Sequence, residues 1–204
     1  MRSVAVDFNR STAWREGVST RFTALWRDAA DARSQWHALS DSLTKAANAA
    51  TNCAIEAMYD TDSSAVLRAN ERGARRVLRA RLARDKERHL KRCLGLFVEL
   101  DAALLRLRTA LLAAGAMARE PATQWVLLSS GVGQLHDFAG VADELLRAYE
   151  REHDVKRRVL GDLAVSESLE TLNVYMSALL LEVFVAEAAR RLDPLVESIV
   201  VAAS

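Results

Sequence analysis

The feature of the sequence that most constrains the fold is a stripe of apolar residues in the first part of the chain. After Phe22 its members follow one another at alternating steps of four and three positions. They are Trp14, Val18, Phe22, Leu25, Ala29, Ala32, Trp36, Leu39, Leu43, Ala46, Ala50, Cys53 and Ala57. A heptad pattern of this length predicts one long helix, capped by Ser11 or Thr12, that packs against other helices at a shallow angle.

Three further helical segments are predicted downstream. The chain contains only two prolines and eight glycines and is rich in Ala, Leu, Arg and Glu, which favour helices. The segments cover about residues 64–115, 134–163 and 166–192, with Ser166 as the cap of the last one, and Asp193-Pro194 then begins a short helix. The predicted fold is therefore all-α: an elongated antiparallel helical bundle of about four long helices plus a short C-terminal helix. We expect a single domain over residues 1–204, and a soft boundary could fall only in the connection 116–133.

Charge and cysteine content exclude several classes of protein. The chain has 28 basic and 27 acidic residues, which argues against a globally basic nucleic-acid binder. Cys53 and Cys93 are too few for a secreted disulfide framework and fit a reducing compartment. The longest apolar run, from Val174, is shorter than a membrane span and contains Glu182 and Glu187. We therefore expect no membrane partner.

No residue pattern indicates catalysis. Glu150 and His153 have the spacing that di-metal bundles use, but no second pair of this kind exists in the sequence. Gly131 and Gly133 lack the third glycine of a phosphate-binding loop. We therefore expect a protein that is not an enzyme and has no catalytic residues, no metal, no cofactor and no small-molecule substrate.

A basic stretch lies in the second segment. Residues 75–92 contain nine basic and two acidic residues. The stretch could bind nucleic acid or ribosomal RNA, because basic side chains on one helix face release counterions from a polyanion. Alternatively, it is a solvated outer face on which Asp85 and Glu87 pair locally with their neighbours. The nucleic-acid candidates are Arg75, Arg76, Arg79, Lys86, Lys91 and Arg92.

Two later stretches depart from a simple core pattern. The apolar stripe of the third helix continues through Glu152 and Lys156. These two residues either form an ion pair half inside the bundle or lie on a face that meets a partner. Residues 175–185 are apolar nearly all round, which indicates the central core helix or a core helix with an extra face for another protein.

Several stretches, in order, resemble the cyclin-dependent kinase 2-interacting protein (CINP) family. The opening motif is carried by Trp36, Leu39, Asp41, Ala47, Asn48 and Asn52, with Trp26 upstream. A C-terminal motif is carried by Leu145, Leu146, Tyr149, Glu152, Lys156, Arg157, Val159, Leu163 and Ala164, and the last by Tyr175, Ser177, Leu180, Phe184 and Val185. Trp125 is similar in position to a Trp that precedes the third helix in the family, whereas residues 64–115 match only as a long helix.

The resemblance implies a non-catalytic adaptor. Its expected partners are AAA+ ATPase subunits, a cyclin-dependent or replication kinase and a checkpoint-kinase cofactor, with contact to ribosomal particles. The expected processes are DNA replication, genome maintenance and maturation of the large ribosomal subunit, in the nucleus and also the cytoplasm. The interaction candidates are Trp36, Asn48, Asn52, Tyr149, Glu152, Lys156, Arg157, Tyr175 and Phe184.

Overall fold

The computed structural model describes residues 2–62, 69–124, 138–166 and 168–190. Four helices account for most of this part of the chain. They are α1 (Arg2–Asp62), α2 (Ala69–Arg119), α3 (Phe138–Leu163) and α4 (Leu169–Leu181). Residues 121–124 and 183–190 are also helical, and no strand occurs among the described residues. The prediction of an all-α helical bundle is confirmed.

The ends of the helices differ from the predicted ones. Helix α1 runs through Ser11 and Thr12 and begins at Arg2, so neither residue caps it. Residues 2–10 contain no proline or glycine that would end a helix there. The cap of α4 is Ser168 rather than Ser166: its backbone is extended, and its hydroxyl accepts a 3.4 Å hydrogen bond from the Thr171 amide. Trp125 and the predicted helix at Asp193-Pro194 lie outside the described residues.

The predicted fourth helix is interrupted at Glu182. Its backbone angles are φ 41° and ψ 49°, the left-handed conformation that ends many helices. Glycine normally occupies such a position, because a Cβ atom makes the conformation costly. The contacts of the Glu182 side chain with Lys156, Ser40 and His37 account for a glutamate at this position.

The chain divides into two compact units. The first unit comprises Met1–Gln35, Ala103–Arg151 and Phe184–Ser204, and the second comprises Trp36–Ala102 and Glu152–Val183. The connection 116–133 lies wholly within the first unit, so the division does not fall where a soft boundary was expected. Each unit instead combines segments that are distant in sequence.

Aromatic side chains form one part of the core of the first unit. Phe22 and Phe138 meet edge to face with ring centroids 5.4 Å apart, and Trp26 lies 6.3 Å from the Phe138 ring. Tyr149 is fully buried, and its hydroxyl oxygen accepts a 3.1 Å hydrogen bond from Arg33 Nε. These contacts hold α1 against α3 within this unit.

Helices α2 and α3 also meet within the first unit. A Cβ atom on Gly115 would lie 3.7 Å from the Cβ of Ala142, and Arg119 Nη2 lies 2.5 Å from the Asp143 carboxylate. The end of α2 and the start of α3 therefore pack together, which explains why the connection between them is not a boundary between units.

The core of the second unit combines large and small side chains. Trp36 and Leu43 of α1 are fully buried, and after them the stripe of α1 changes to alanine. The buried alanines of this part of α1 are Ala46 and Ala50 of the stripe and their neighbours Ala47 and Ala54. Small side chains allow a neighbouring helix to approach closely.

Candidate interaction site

A buried lysine organises the polar part of the second unit. Lys156 lies on the face of α3 that also buries Val159 and Leu163, and its side chain is 0% exposed. The Lys156 ammonium is 2.9 Å from Glu182 Oε1 and 3.8 Å from Glu152 Oε1. Because an isolated buried charge is very costly, these carboxylates are what allow the ammonium to stay in the interior.

The same lysine helps to end α4. The Leu179 carbonyl lies in the last turn of the helix, where backbone carbonyls lack intrahelical partners. It accepts hydrogen bonds of 3.4 Å from Lys156 Nζ and from Thr44 Oγ1. A cation at this end of a helix is also favoured by the helix dipole.

Glu182 completes the polar cluster, which we define as His37, Ser40, Glu152, Lys156 and Glu182. Besides Lys156, the Glu182 carboxylate accepts a hydrogen bond from the Ser40 hydroxyl and lies 3.5 Å from His37 Nδ1. These contacts require the chain to turn away from the helix axis at residue 182. We attribute the left-handed backbone of Glu182 to them, since they offset the conformational cost.

The cluster also changes the acidity of Glu182. Burial alone would raise the pKa of this carboxyl group. The hydrogen bond from His37, the charge of Lys156 and the hydrogen bonds from Ser40 and Lys156 outweigh burial and lower the pKa to about 2. Glu182 is therefore a carboxylate at all physiological pH values.

The geometry distinguishes between the two interpretations of the charged residues in the stripe of α3. Glu152 and Lys156 are both buried and face each other inside the second unit. Trp36 and Tyr149, also proposed as interaction residues, are fully buried in the cores of their respective units. In the free chain these four side chains offer no surface to a partner, so the interface prediction is withdrawn for them.

The other interaction candidates are accessible. Asn48, Asn52 and Arg157 are exposed, and Arg157 pairs with Asp154 at 3.4 Å. Tyr175 is half-buried, and its hydroxyl donates a 3.2 Å hydrogen bond to the Asp162 carboxylate. In the first unit, Phe184 is exposed and lies under the Arg151 guanidinium at 5.9 Å. For these five residues a role in interaction stays a prediction.

For residues 175–185 the sequence leaves two interpretations open, a central core helix or a core helix with an extra face for another protein. Leu172, Met176 and Leu179 are buried, whereas other apolar residues of the same stretch are exposed. These exposed residues, which we call the α4 face, are Val174, Leu180, Leu181 and Val183. The interpretation as a wholly buried core helix is therefore wrong, and the interpretation with an extra face fits.

The same stretch has the composition of a membrane segment. Among the described residues, Leu169–Arg190 is the one stretch that is long and apolar enough to cross a membrane, by length and composition only. A core helix of a soluble protein passes the same test. In the second unit this stretch is joined to the Lys156 cluster through Leu179 and Glu182, so one of its sides is occupied by protein.

His153 is packed between an aromatic ring and a carboxylate of the second unit. Its ring stacks on Phe97 at 4.7 Å, and its Nε2 atom lies 2.5 Å from the Asp101 carboxylate. Glu150, the other half of the di-metal spacing, lies 3.8 Å from Arg108 in the first unit. The described residues contain no group of three or more His, Cys, Asp or Glu that could hold a metal ion. The absence of catalysis stays a prediction.

The basic stretch 75–92 runs along α2 in the second unit. Of its nucleic-acid candidates, Arg76, Arg79, Lys91 and Arg92 are exposed, and Arg75 and Lys86 are half-buried. Asp85 lies 3.0 Å from Arg88 and 3.7 Å from Arg81. Glu87 lies 2.8 Å from Lys91, whose hydrogen bond lowers the pKa of Glu87. The local pairing expected for Asp85 and Glu87 is confirmed.

Comparison with family models and with curated proteins identifies no relative of this chain. The chain matches no family model, and no curated protein is significantly similar to it in sequence.

Replacement of Lys156 tests the polar cluster. Lys156→Met should lower the free energy of unfolding by about 3–5 kcal/mol, because it leaves the buried carboxylate of Glu152 and the half-buried carboxylate of Glu182 without their cation. Urea denaturation followed by circular dichroism measures the change. Arg157→Met is the matched control, since Arg157 is the next residue and its side chain is 61% exposed. Equal stability of the two variants would contradict the assigned role of Lys156.

The pH dependence of stability tests Glu182. Its pKa is about 2 in the folded protein and 4.5 in the reference state, so its stabilising contribution is complete above about pH 5 and is lost between 4.5 and 2. The contribution should be on the order of 2 kcal/mol, allowing for solvent screening. The difference in unfolding free energy between the unmodified protein and Glu182→Gln should shrink over this range. A difference that stays constant down to pH 2 would rule out the lowered pKa.

Proposed function

We propose that this chain is a non-catalytic adaptor, a protein-interaction subunit of a AAA+ ATPase complex, as its resemblance to the cyclin-dependent kinase 2-interacting protein family implies. The processes served are DNA replication, genome maintenance and maturation of the large ribosomal subunit, with binding to cell-cycle kinases. The site of action is the nucleus and also the cytoplasm. The observation that supports this proposal best is the exposed α4 face.

The α4 face has the properties of a protein-binding surface. Val174 and Leu181 are seven residues apart, so they lie on the same side of the helix. Leu180 adjoins Leu181 in sequence, and Val183 follows Leu181 by two residues. Soluble proteins rarely expose several large apolar side chains together unless another molecule covers them. Leu180 is also one of the residues that carry the family resemblance, so that motif and the exposed face overlap.

The helix that carries the face is fixed from its other side. Leu172, Met176 and Leu179 are buried, and the Leu179 carbonyl is bonded to Lys156 and Thr44. A helix held in this way presents its outer side chains without having to fold first. This lowers the entropic cost of binding.

A charge placed on the α4 face should abolish partner binding. Leu181→Arg introduces a guanidinium that an apolar partner surface cannot pair, and partner recovery should fall at least about tenfold. The measurement is affinity purification from source cells followed by mass spectrometry, with AAA+ ATPase subunits as the expected loss. Leu94→Arg is the matched control, because Leu94 lies on α2 and is 62% exposed, compared with 64% for Leu181.

Three outcomes would count against the adaptor proposal. Leu181→Arg could retain every partner, or Leu94→Arg could lose the same partners to the same extent. The unmodified protein could instead float with phosphatidylcholine vesicles, with Leu181→Arg abolishing this flotation. The last result would assign the α4 face to a lipid surface.

A second candidate function is binding to nucleic acid or ribosomal RNA through the basic stretch. It is favoured by the exposure of Arg76, Arg79 and Arg92 along α2. Affinity for RNA and for duplex DNA should then fall steeply as salt increases, because each phosphate contact releases counterions. Arg76→Gln should reduce the magnitude of the slope by about one. A flat salt dependence, or a slope unchanged by the variant, would remove this candidate.

A further inference from the structure

Helix α2, which is continuous from Ala69 to Arg119, carries apolar side chains on two opposite sides. Its inner side is buried at four positions seven residues apart, which are Cys93, Leu100, Leu107 and Ala114. Its outer side carries Val98, Leu105 and Leu112, which are also seven residues apart and are 66%, 64% and 46% exposed. The outer side of a surface helix is normally polar. A row of three large apolar side chains there points to a contact with another molecule.

A row of small residues runs beside the large ones. Gly95, Ala102 and Thr109 are exposed and also lie seven residues apart, each three positions before a large residue. A Cβ atom on Gly95 would meet no atom of the described residues within 4 Å. The Thr109 hydroxyl donates to the Leu105 carbonyl at 2.9 Å, so it stays bonded when the surface is covered. We call the two rows together the α2 seam. Its alternation of large and small side chains allows a second helix to pack closely.

One flank of the α2 seam carries charges in an order that suits a second copy of the same helix. Glu99 and Arg106 are exposed and lie seven residues apart, next to the small row. Glu99 forms no ion pair within the described part of the chain. Arg106 donates to the neutral Gln35 side chain at 2.7 Å, and a guanidinium has five donors in all. This flank is therefore acidic toward the start of α2 and basic toward its end.

The opposite flank repeats this order with Asp101 and Arg108. Asp101 contacts His153, and Arg108 lies 3.8 Å from Glu150, so both already have partners within the chain. Their charges still affect the orientation of a second helix. A parallel copy would place acidic residues beside acidic ones and basic beside basic, whereas an antiparallel copy brings acidic residues beside basic ones on both flanks.

We propose that the α2 seam binds a second copy of this chain in antiparallel orientation. Each large residue of one copy then lies over a small residue of the other, in the pairs Val98–Thr109, Leu105–Ala102 and Leu112–Gly95. In this register Glu99 of each copy lies beside Arg106 of the other, offset by about 3 Å along the helix axis. One two-fold axis relates the apolar contacts and the two ion pairs, so the contact closes as a dimer.

The mass of the full chain in solution tests the proposal. Sedimentation equilibrium of the unmodified protein should give twice the chain mass of 22.5 kDa. Leu105→Arg should raise the dissociation constant of the dimer at least about tenfold, because it places an unpaired guanidinium in the contact. Leu181→Arg on the α4 face is the matched control, since Leu181 and Leu105 are both 64% exposed. A monomer at about 100 μM, or an equal effect of the two variants, overturns the proposal.

The reciprocal use of Leu181→Arg separates self-association from partner binding. The α2 seam shares no residue with the α4 face, so the dimer does not depend on the adaptor proposal. Leu181→Arg should lose the partners and keep the dimer, and Leu105→Arg should lose the dimer. A dimer lost only in Leu181→Arg would assign self-association to the α4 face and refute the α2 seam.

Enlarging the small row distinguishes close helix packing from non-specific apolar association. Ala102→Leu adds apolar surface at an exposed position, which would strengthen non-specific association. In the proposed dimer the larger side chain meets Leu105 of the other copy where no space is left, so the dissociation constant should rise about tenfold. Circular dichroism should show an unchanged helical fold. An unchanged or tighter dimer contradicts the proposed register.

Charge reversal tests the antiparallel orientation. Glu99→Arg alone and Arg106→Glu alone should each weaken the dimer about tenfold, because each places like charges side by side at two points. The double variant, Glu99→Arg with Arg106→Glu, keeps the net charge and should dimerise as the unmodified protein does. A mixture of the two single variants should form a mixed dimer, since both ion pairs are then restored between the chains. Single variants that dimerise normally, or a double variant or mixture that does not regain the dimer, would rule out this orientation.

Discussion

The second unit depends on the burial of the Lys156 ammonium. A cation with no exposed surface has to find anions and carbonyl oxygens within the protein, and Lys156 finds Glu182, Glu152 and the Leu179 carbonyl. The contacts that stabilise this ammonium end α4 at Leu181 and hold the backbone of Glu182 in a left-handed conformation. The position of the last turn of α4, with Leu180 and Leu181 outward, follows from this arrangement. One buried charge thus determines both the interior of the unit and its exposed apolar face.

The helical architecture could be predicted from sequence because its signals are local and repeated. The heptad stripe of α1 and the scarcity of proline and glycine are sufficient to predict an all-α chain. The change from Trp36 and Leu43 to buried alanines likewise predicts where a neighbour approaches closely. The signals are weaker at helix ends, where Ser166 and Ser168 are equivalent as candidate caps and only the backbone geometry identifies Ser168. The division into two units combines distant segments, and no local pattern encodes it.

The candidate site could be predicted only in part, because its decisive contacts are long-range. Charges at Glu152 and Lys156 in an apolar stripe are visible in the sequence, but their partner Glu182 is far along the chain and lies in an apolar run. Nothing local marks Glu182 as a helix end, since the residue is not glycine. For α4, the exposed side of the helix could not be predicted for a different reason. A segment that is apolar all round gives no periodicity, so the sequence cannot show that Leu179 is buried while Leu180 and Leu181 are exposed.

The α4 face and the basic stretch 75–92 would contribute differently to binding. The α4 face is apolar, so its contribution to affinity would come mainly from removing Val174, Leu180 and Leu181 from water and would change little with salt. The basic stretch exposes Arg76 and Arg92, so its contribution would weaken as salt increases. The salt dependence of binding therefore distinguishes a partner held by the α4 face from one held by the basic stretch.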